Sequence, residues 1–254
     1  MYGWFNLKDK IKKYFRFNQD EIKGIVISIL IIGFIISFKE WGYQEFSWSI
    51  GLKNLLSSIF ISAAVIIVGI TAHKIAALKA GFTVEFKMWL YGLIIGLVLV
   101  LVSRGNLWFI APGGIVIYHM AAHRVGYFRY GVNMWALGMI SLVGPLAVIV
   151  FGGFFKTMTL YFSWFPLNVF LVDKMFKISL IYAFFNLLPI PPLVGANLFF
   201  ASRNWYVFII GTIASYIVML LAFNFYSYIF SIIIGFIIWL IYYTVFESGY
   251  WSFP

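Results

Sequence analysis

Stretches of about 17–20 residues without a single charge recur along this chain, and each is long enough to cross a bilayer core of about 30 Å. Within lipid a chain must satisfy its own backbone, which leaves helices and closed barrels as the spanning structures. The runs are continuous and long rather than alternating, so they predict helices. Composition agrees: 63% of the 254 residues are hydrophobic, 10% are charged, and the mean hydropathy is +0.98. The fold class read from this is an all-α polytopic membrane protein with six to seven transmembrane helices. The net charge of +10 then belongs to basic loops that set topology and touch anionic headgroups. No basic motif of a nucleic-acid-binding class is present, so membrane lipids are the partners expected and nucleic acid is not. With no cysteine, disulfides and thiolate metal sites are excluded.

Residues 1–23 form the most charged part. Leu7, Ile11, Tyr14 and Phe15 recur at helical spacing among Lys8, Lys10, Lys12 and Lys13, which suits an amphipathic helix in the headgroup region. Asn18 followed by Glu21 has the spacing of a capping box and starts the first span, about 22–38. No small-residue cleavage site follows that span, so it is read as an anchor rather than a signal peptide. Residues 24–254 read as one transmembrane domain, with further spans at about 54–73, 88–103, 134–155, 175–200, 205–224 and 228–246. The aromatic stretch 157–172 reads either as interfacial or as part of a tilted helix. The basic start predicts an integral, multi-pass protein of a prokaryotic plasma membrane with its N-terminus in the cytoplasm.

Two segments break the pattern. Residues 104–133 have an apolar centre cut by Pro112, Gly113 and Gly114. They predict a re-entrant hairpin, or a short sheet against the membrane face. Gly92 and Gly96, four apart in the preceding span, predict a close helix–helix approach. The second break, 186–195, reads NLLPIPPLVG and carries Pro189, Pro191 and Pro192. Proline lacks an amide donor and breaks a helix. Unwound backbone at membrane depth is tolerated where protein buries it or a cavity adjoins it. Asn186 can donate and accept, so it either caps the break or grips an extended guest peptide; Asn197 is placed to share either task.

Four motifs in order carry a resemblance. GITAHKIAALKAGF at 69–82, IAPGGIVIY at 110–118, ISLVGPLAVI at 140–149 and NLLPIPPLVG at 186–195 resemble the site-2 protease family, the intramembrane zinc metalloproteases, particularly its archaeal-type branch. The resemblance covers about 62–200. It implies a helix bearing His-Glu-x-x-His, a Gly-Pro helix, and a broken helix bearing Asn-x-x-Pro and then Asp-Gly. On that alignment the first ligand position is Gly69, the general-base position is Ile70, and His73 alone keeps its type. The third ligand position, before Gly195, is Val194, and Val148 stands where the family has Asn. Catalytic zinc takes three protein ligands and an open position for water, and a glutamate receives the proton of that water. Gly69, Ile70, His73, Asn186, Pro189, Val194 and Gly195 are therefore expected to line a vestigial pocket. No catalytic residue and no cofactor is expected, where active relatives would hold zinc.

The remaining residues support the same expectation. Asp9, Asp20, Glu21, Glu40, Glu45, Glu85, Asp173 and Glu247 are the eight acids, and each falls in a loop or at a span end. No carboxylate is placed mid-span to act as a base or a proton station. His73 reads as a relic that bonds a neighbouring carbonyl. His119 and His123 have the i, i+4 spacing of a zinc motif but Met120 in place of its glutamate. A third donor would have to come from His73 or Glu85. The leading function is a non-catalytic homologue that binds transmembrane segments of other proteins or modulates a membrane complex. Two alternatives stay open: a metallopeptidase with its metal shifted to His119 and His123, and a pore or carrier for a neutral solute. The single broken segment, with no inverted repeat, weighs against a carrier.

Overall fold

The computed structural model describes residues 3–42, 46–119, 134–162, 168–223 and 227–247. Nine helices and one two-stranded sheet are present among them. Helix α1, Gly3–Tyr14, is followed by α2, Gln19–Ser37. The capping box forms: the Asn18 side chain accepts from the first turn and the Asn18 amide donates to Glu21. Removing that cap, Asn18→Ala, is expected to cost about 1 kcal/mol, read from thermal unfolding in detergent.

Helix α3, Trp48–Ala80, returns alongside α2 and is capped by Gly81 in the left-handed region, φ 89°. Its 33 residues exceed the span expected at 54–73. Strand β1, Phe82–Met88, follows directly and pairs antiparallel with β2, Gly113–His119, in register Phe82 to His119. Strand β1 is not expected from the sequence, which places only Glu85 in a loop or at a span end there. The β2 half fits the short sheet expected within 104–133; residues 120–133, with His123, lie outside those described.

Helix α4, Leu90–Val102, has 13 residues and rises about 20 Å at about 1.5 Å per residue. That is too short for a straight span, where the sequence reading placed one. After Gly105, at φ 82°, the chain runs back along α4 without helical structure from Asn106 to Pro112. A Cβ on Gly96 would lie 2.6 Å from the Phe109 carbonyl oxygen, and one on Gly92 would lie 2.8 Å from that of Ala111. The glycine face therefore admits a non-helical return segment as well as the neighbouring helix α2, whose Ile35 Cδ1 would lie 3.0 Å from a Cβ on Gly96. Carbonyls can approach because only hydrogens stand on that face. Ile110 and Ala111 are buried, as irregular backbone at this depth requires.

Helices α5, Met134–Tyr161, and α6, Val169–Asn186, pack antiparallel and border α3. The stretch 157–172 is the end of α5 and the start of α6; residues 163–167 lie outside those described. The proline-bearing turn leads to the short α7, Val194–Ala201, which lies against α5. Helices α8, Arg203–Phe223, and α9, Tyr228–Tyr242, pair with each other, and a π-helical turn, Tyr243–Glu247, extends α9.

Among the described residues, four helical stretches are long and apolar enough to cross a membrane: α3, α5, α8 and α9 with its π turn. Helices α2 and α6 are of similar length but carry charges near their first turns. Most of those charges are paired. Glu21 meets Lys74 of α3, Lys174 meets Glu40 just after α2, and Asp173 meets Lys156 of α5. Lys174 also donates to Ser58 of α3 at 2.9 Å. An ion pair thus ties the start of α2 to the end of α3, and a hydrogen bond ties α6 to the first half of α3. Between them, Ile32, Ile36, Val65, Ile66, Val148 and Ile178 form a continuous buried core.

Candidate functional site around His73

His73 lies in the last third of α3 and is 5% exposed. Its Nδ1 is 2.8 Å from the Ile140 carbonyl of α5. A carbonyl only accepts, so Nδ1 carries the proton and donates. This is the carbonyl bond expected of that histidine. The α5 turn that receives it contains Pro145, which has no N–H to offer Ser141. Beneath the ring lies Gly144. A Cβ there would be 2.0 Å from Nε2, 2.4 Å from Cε1 and 2.5 Å from Cδ2. Distances so nearly equal place the glycine under the face of the imidazole rather than at its edge. The Gly-Pro pair thus makes the seat on which the ring rests.

One turn earlier on α3 is Gly69. A Cβ on it would lie 3.2 Å from Val148 Cγ2 and 3.3 Å from the Tyr182 hydroxyl. Positions 69 and 73 of α3 therefore face positions 148 and 144 of α5, as two antiparallel helices require. Ile70 is buried in the same core. Tyr182 of α6 is the neighbour that sequence reading missed; its only signal is a place one turn before Asn186. Asn186, 3% exposed, donates from Nδ2 to the Tyr182 carbonyl at 2.8 Å. That bond serves its own helix.

Beyond Asn186, α6 ends and the chain turns through Pro189 and the cis Pro191–Pro192 bond. Leu193 N–H donates to the Ile190 carbonyl at 2.8 Å. The Pro192 carbonyl abuts β2: a Cβ on Gly114 would lie 1.7 Å from it. The unwound stretch is thus covered in part by the sheet. Val194 starts α7 and is buried. Gly195 sits on the end of α6, where a Cβ would lie 2.0 Å from the Leu187 carbonyl oxygen. Helix α7 then follows α5, with Asn197 Nδ2 donating to Ser141 Oγ at 3.0 Å and Gly138 against Ala201. One helix, α5, thus carries both the seat of His73 and the rest for α7.

The sequence is 34% identical over 181 residues to a Methanocaldococcus jannaschii protein named "Putative zinc metalloprotease"; the match takes in 71% of this chain and 84% of the relative. The chain belongs to the site-2 protease-like family. No family model matches it, and no solved structure does.

Whether this site-2 protease-like chain can hold zinc is a question of donors. Three protein ligands are needed. Around His73 stand a glycine, a valine and a tyrosine hydroxyl, and no group of three His, Asp or Glu side chains comes together among the described residues. That donor set does not fit a zinc ion held by the protein. His119 is the last residue of β2, with its ring 5.1 Å from that of Phe82. The i, i+4 spacing brings two histidines within reach of one ion in a helix, whereas in a strand such positions share a face but lie about 13 Å apart, and His119 belongs to a strand. His123 lies outside the described residues.

The best-built polar cluster adjoins His73. Lys74 Nζ donates to Glu21 Oε2 at 2.9 Å, to the Arg16 carbonyl at 2.8 Å and to the Val84 carbonyl at 3.1 Å. It also lies 4.6 Å from the centre of the Phe17 ring. Glu21 Oε1 accepts from the Phe86 amide at 2.9 Å. Both side chains are almost fully buried. The cluster clamps the start of α2, the end of α3 and β1 together beside the histidine.

Proposed function

We propose that this chain is a non-catalytic member of the archaeal-type branch of its family, which binds transmembrane segments of other proteins without cutting them. Position 69 carries the reading. It lies one turn before the seated histidine, is a glycine, and has a valine and a phenol as neighbours. With Ile70 at the general-base position and Val194 at the third ligand position, neither metal-bound water nor its base has a holder, and no zinc is carried. In the bilayer, α2, α3, α5, α6, α8 and α9 are the six spans, and α4 with residues 106–112 forms a re-entrant hairpin. The protein sits in a prokaryotic plasma membrane with its basic N-terminus in the cytoplasm.

The test is metal analysis of the purified protein together with incubation against a transmembrane peptide. The expected result is substoichiometric zinc and no chelator-sensitive cleavage. Cleavage abolished by a chelator would sink the reading. So would one zinc per chain that disappears in His73→Ala.

A further inference from the structure

The described residues border an open cavity of about 510 Å³ between the ends of α2 and α4, the face of α6 and the last turns of α8. Its walls are apolar, chiefly Phe184 and Phe185 of α6 with Ile217 and Leu221 of α8. Its polar end is formed by Lys39, Gly105 and Asn106, and Arg104 precedes them in the chain. Lys39 Nζ donates to Asn106 Oδ1 at 2.7 Å, and Asn106 Nδ2 donates to the Ser103 carbonyl at 2.9 Å. The acceptor of Asn106 is thus already engaged by the ammonium. Trp108 also borders the cavity, and its indole Nε1 is buried without a hydrogen-bond partner. An indole nitrogen can only donate. The polar end therefore offers positive charge and donors.

We infer that this cavity is a binding site for an anionic phospholipid, with the phosphate at Lys39 and Trp108 and one acyl chain along the α6–α8 wall. Charge and donor chemistry select the head. The apolar walls select the tail. An extended peptide would bring backbone polar groups against apolar walls, whereas an acyl chain brings none. Lys39 follows α2, whose end the six-span reading proposed above places at the headgroups. None of the residues around His73 lines the cavity, so the inference stands or falls apart from the non-catalytic reading.

Native mass spectrometry of the full chain in detergent tests it, with phosphatidylglycerol and phosphatidylcholine added in equal amounts. The wild type should retain one phosphatidylglycerol in preference to phosphatidylcholine. Lys39→Gln, at an exposed position, should weaken retention of the anionic lipid about tenfold, as loss of one charge-assisted bond does. Trp108→Phe keeps the ring and removes the donor, and should weaken it in the same direction. Equal retention of both lipids by the wild type would overturn the inference. So would unchanged phosphatidylglycerol retention in both variants. Displacement of the lipid by millimolar inorganic phosphate, or by a transmembrane helical peptide, would assign the site to another occupant and overturn it as well.

Discussion

Lys74→Met is expected to cost the folded protein about 3–5 kcal/mol, because it leaves the Glu21 carboxylate buried without its cation. The two groups are 2.9 Å apart and nearly inaccessible. The contacts of the ammonium are lost together: the carboxylate, the Arg16 and Val84 carbonyls, and the face of Phe17. Glu21 keeps the amides of Phe86 and Asn18, but these are dipoles and not a counter-charge. The measurement is thermal or denaturant unfolding in a fixed detergent. The double variant Glu21→Gln/Lys74→Met removes both charges and is expected to recover much of the loss, since a neutral amide can still accept from Phe86. A single-variant cost below about 1 kcal/mol would place the pair in water, contrary to its burial.

Gly144→Ala is expected to destabilise the protein by roughly 2–4 kcal/mol. The added methyl would meet His73 at 2.0 Å from Nε2, so the ring must leave its seat. Overpacking of this kind costs about 1–3 kcal/mol, and the bond from Nδ1 to the Ile140 carbonyl goes with it, worth about 1 kcal/mol more. The cause can be isolated by a double-mutant cycle. With His73→Ala also present the methyl has room, so the second substitution should restore stability to Gly144→Ala while lowering that of the wild type. If the two costs simply add, the ring does not rest on Gly144.

The clearest legible features were local. The capping box at Asn18 and Glu21 depends on a three-residue spacing, and it forms. The apolar runs became helices, because in lipid the backbone leaves little else open. The break at 186–195 ends α6, because three prolines within four positions cannot continue a helix. His73 bonds a carbonyl, as a buried imidazole must find some partner.

The losses came where one segment depends on another far away. Strand β1 pairs with β2 some thirty residues on, and the strict apolar–polar alternation of FTVEFKM is a local strand signal that attention to long hydrophobic runs passes over. Gly92 and Gly96 advertise a close approach without saying what approaches, and a non-helical return segment comes closer than the helix α2 beside it. Glu21 was legible as a cap, but its second carboxylate oxygen reaches β1 and its first partner in charge lies on α3.

From its order of residues alone this chain determined that it crosses a membrane, where its helices start and break, and which chemical groups stand at positions 69, 70, 73 and 194. Those properties follow from composition, from spacings of three or four residues and from the types of side chain present. Only the tertiary structure decided that Gly144 lies under the imidazole, that Tyr182 and Val148 border Gly69, that Pro192 rests on Gly114, and that Lys74 is neutralised by Glu21. Each of these joins residues tens of positions apart. Such contacts are set by how helices pack and which side chains fill the space between them, and no local pattern in the sequence specifies that.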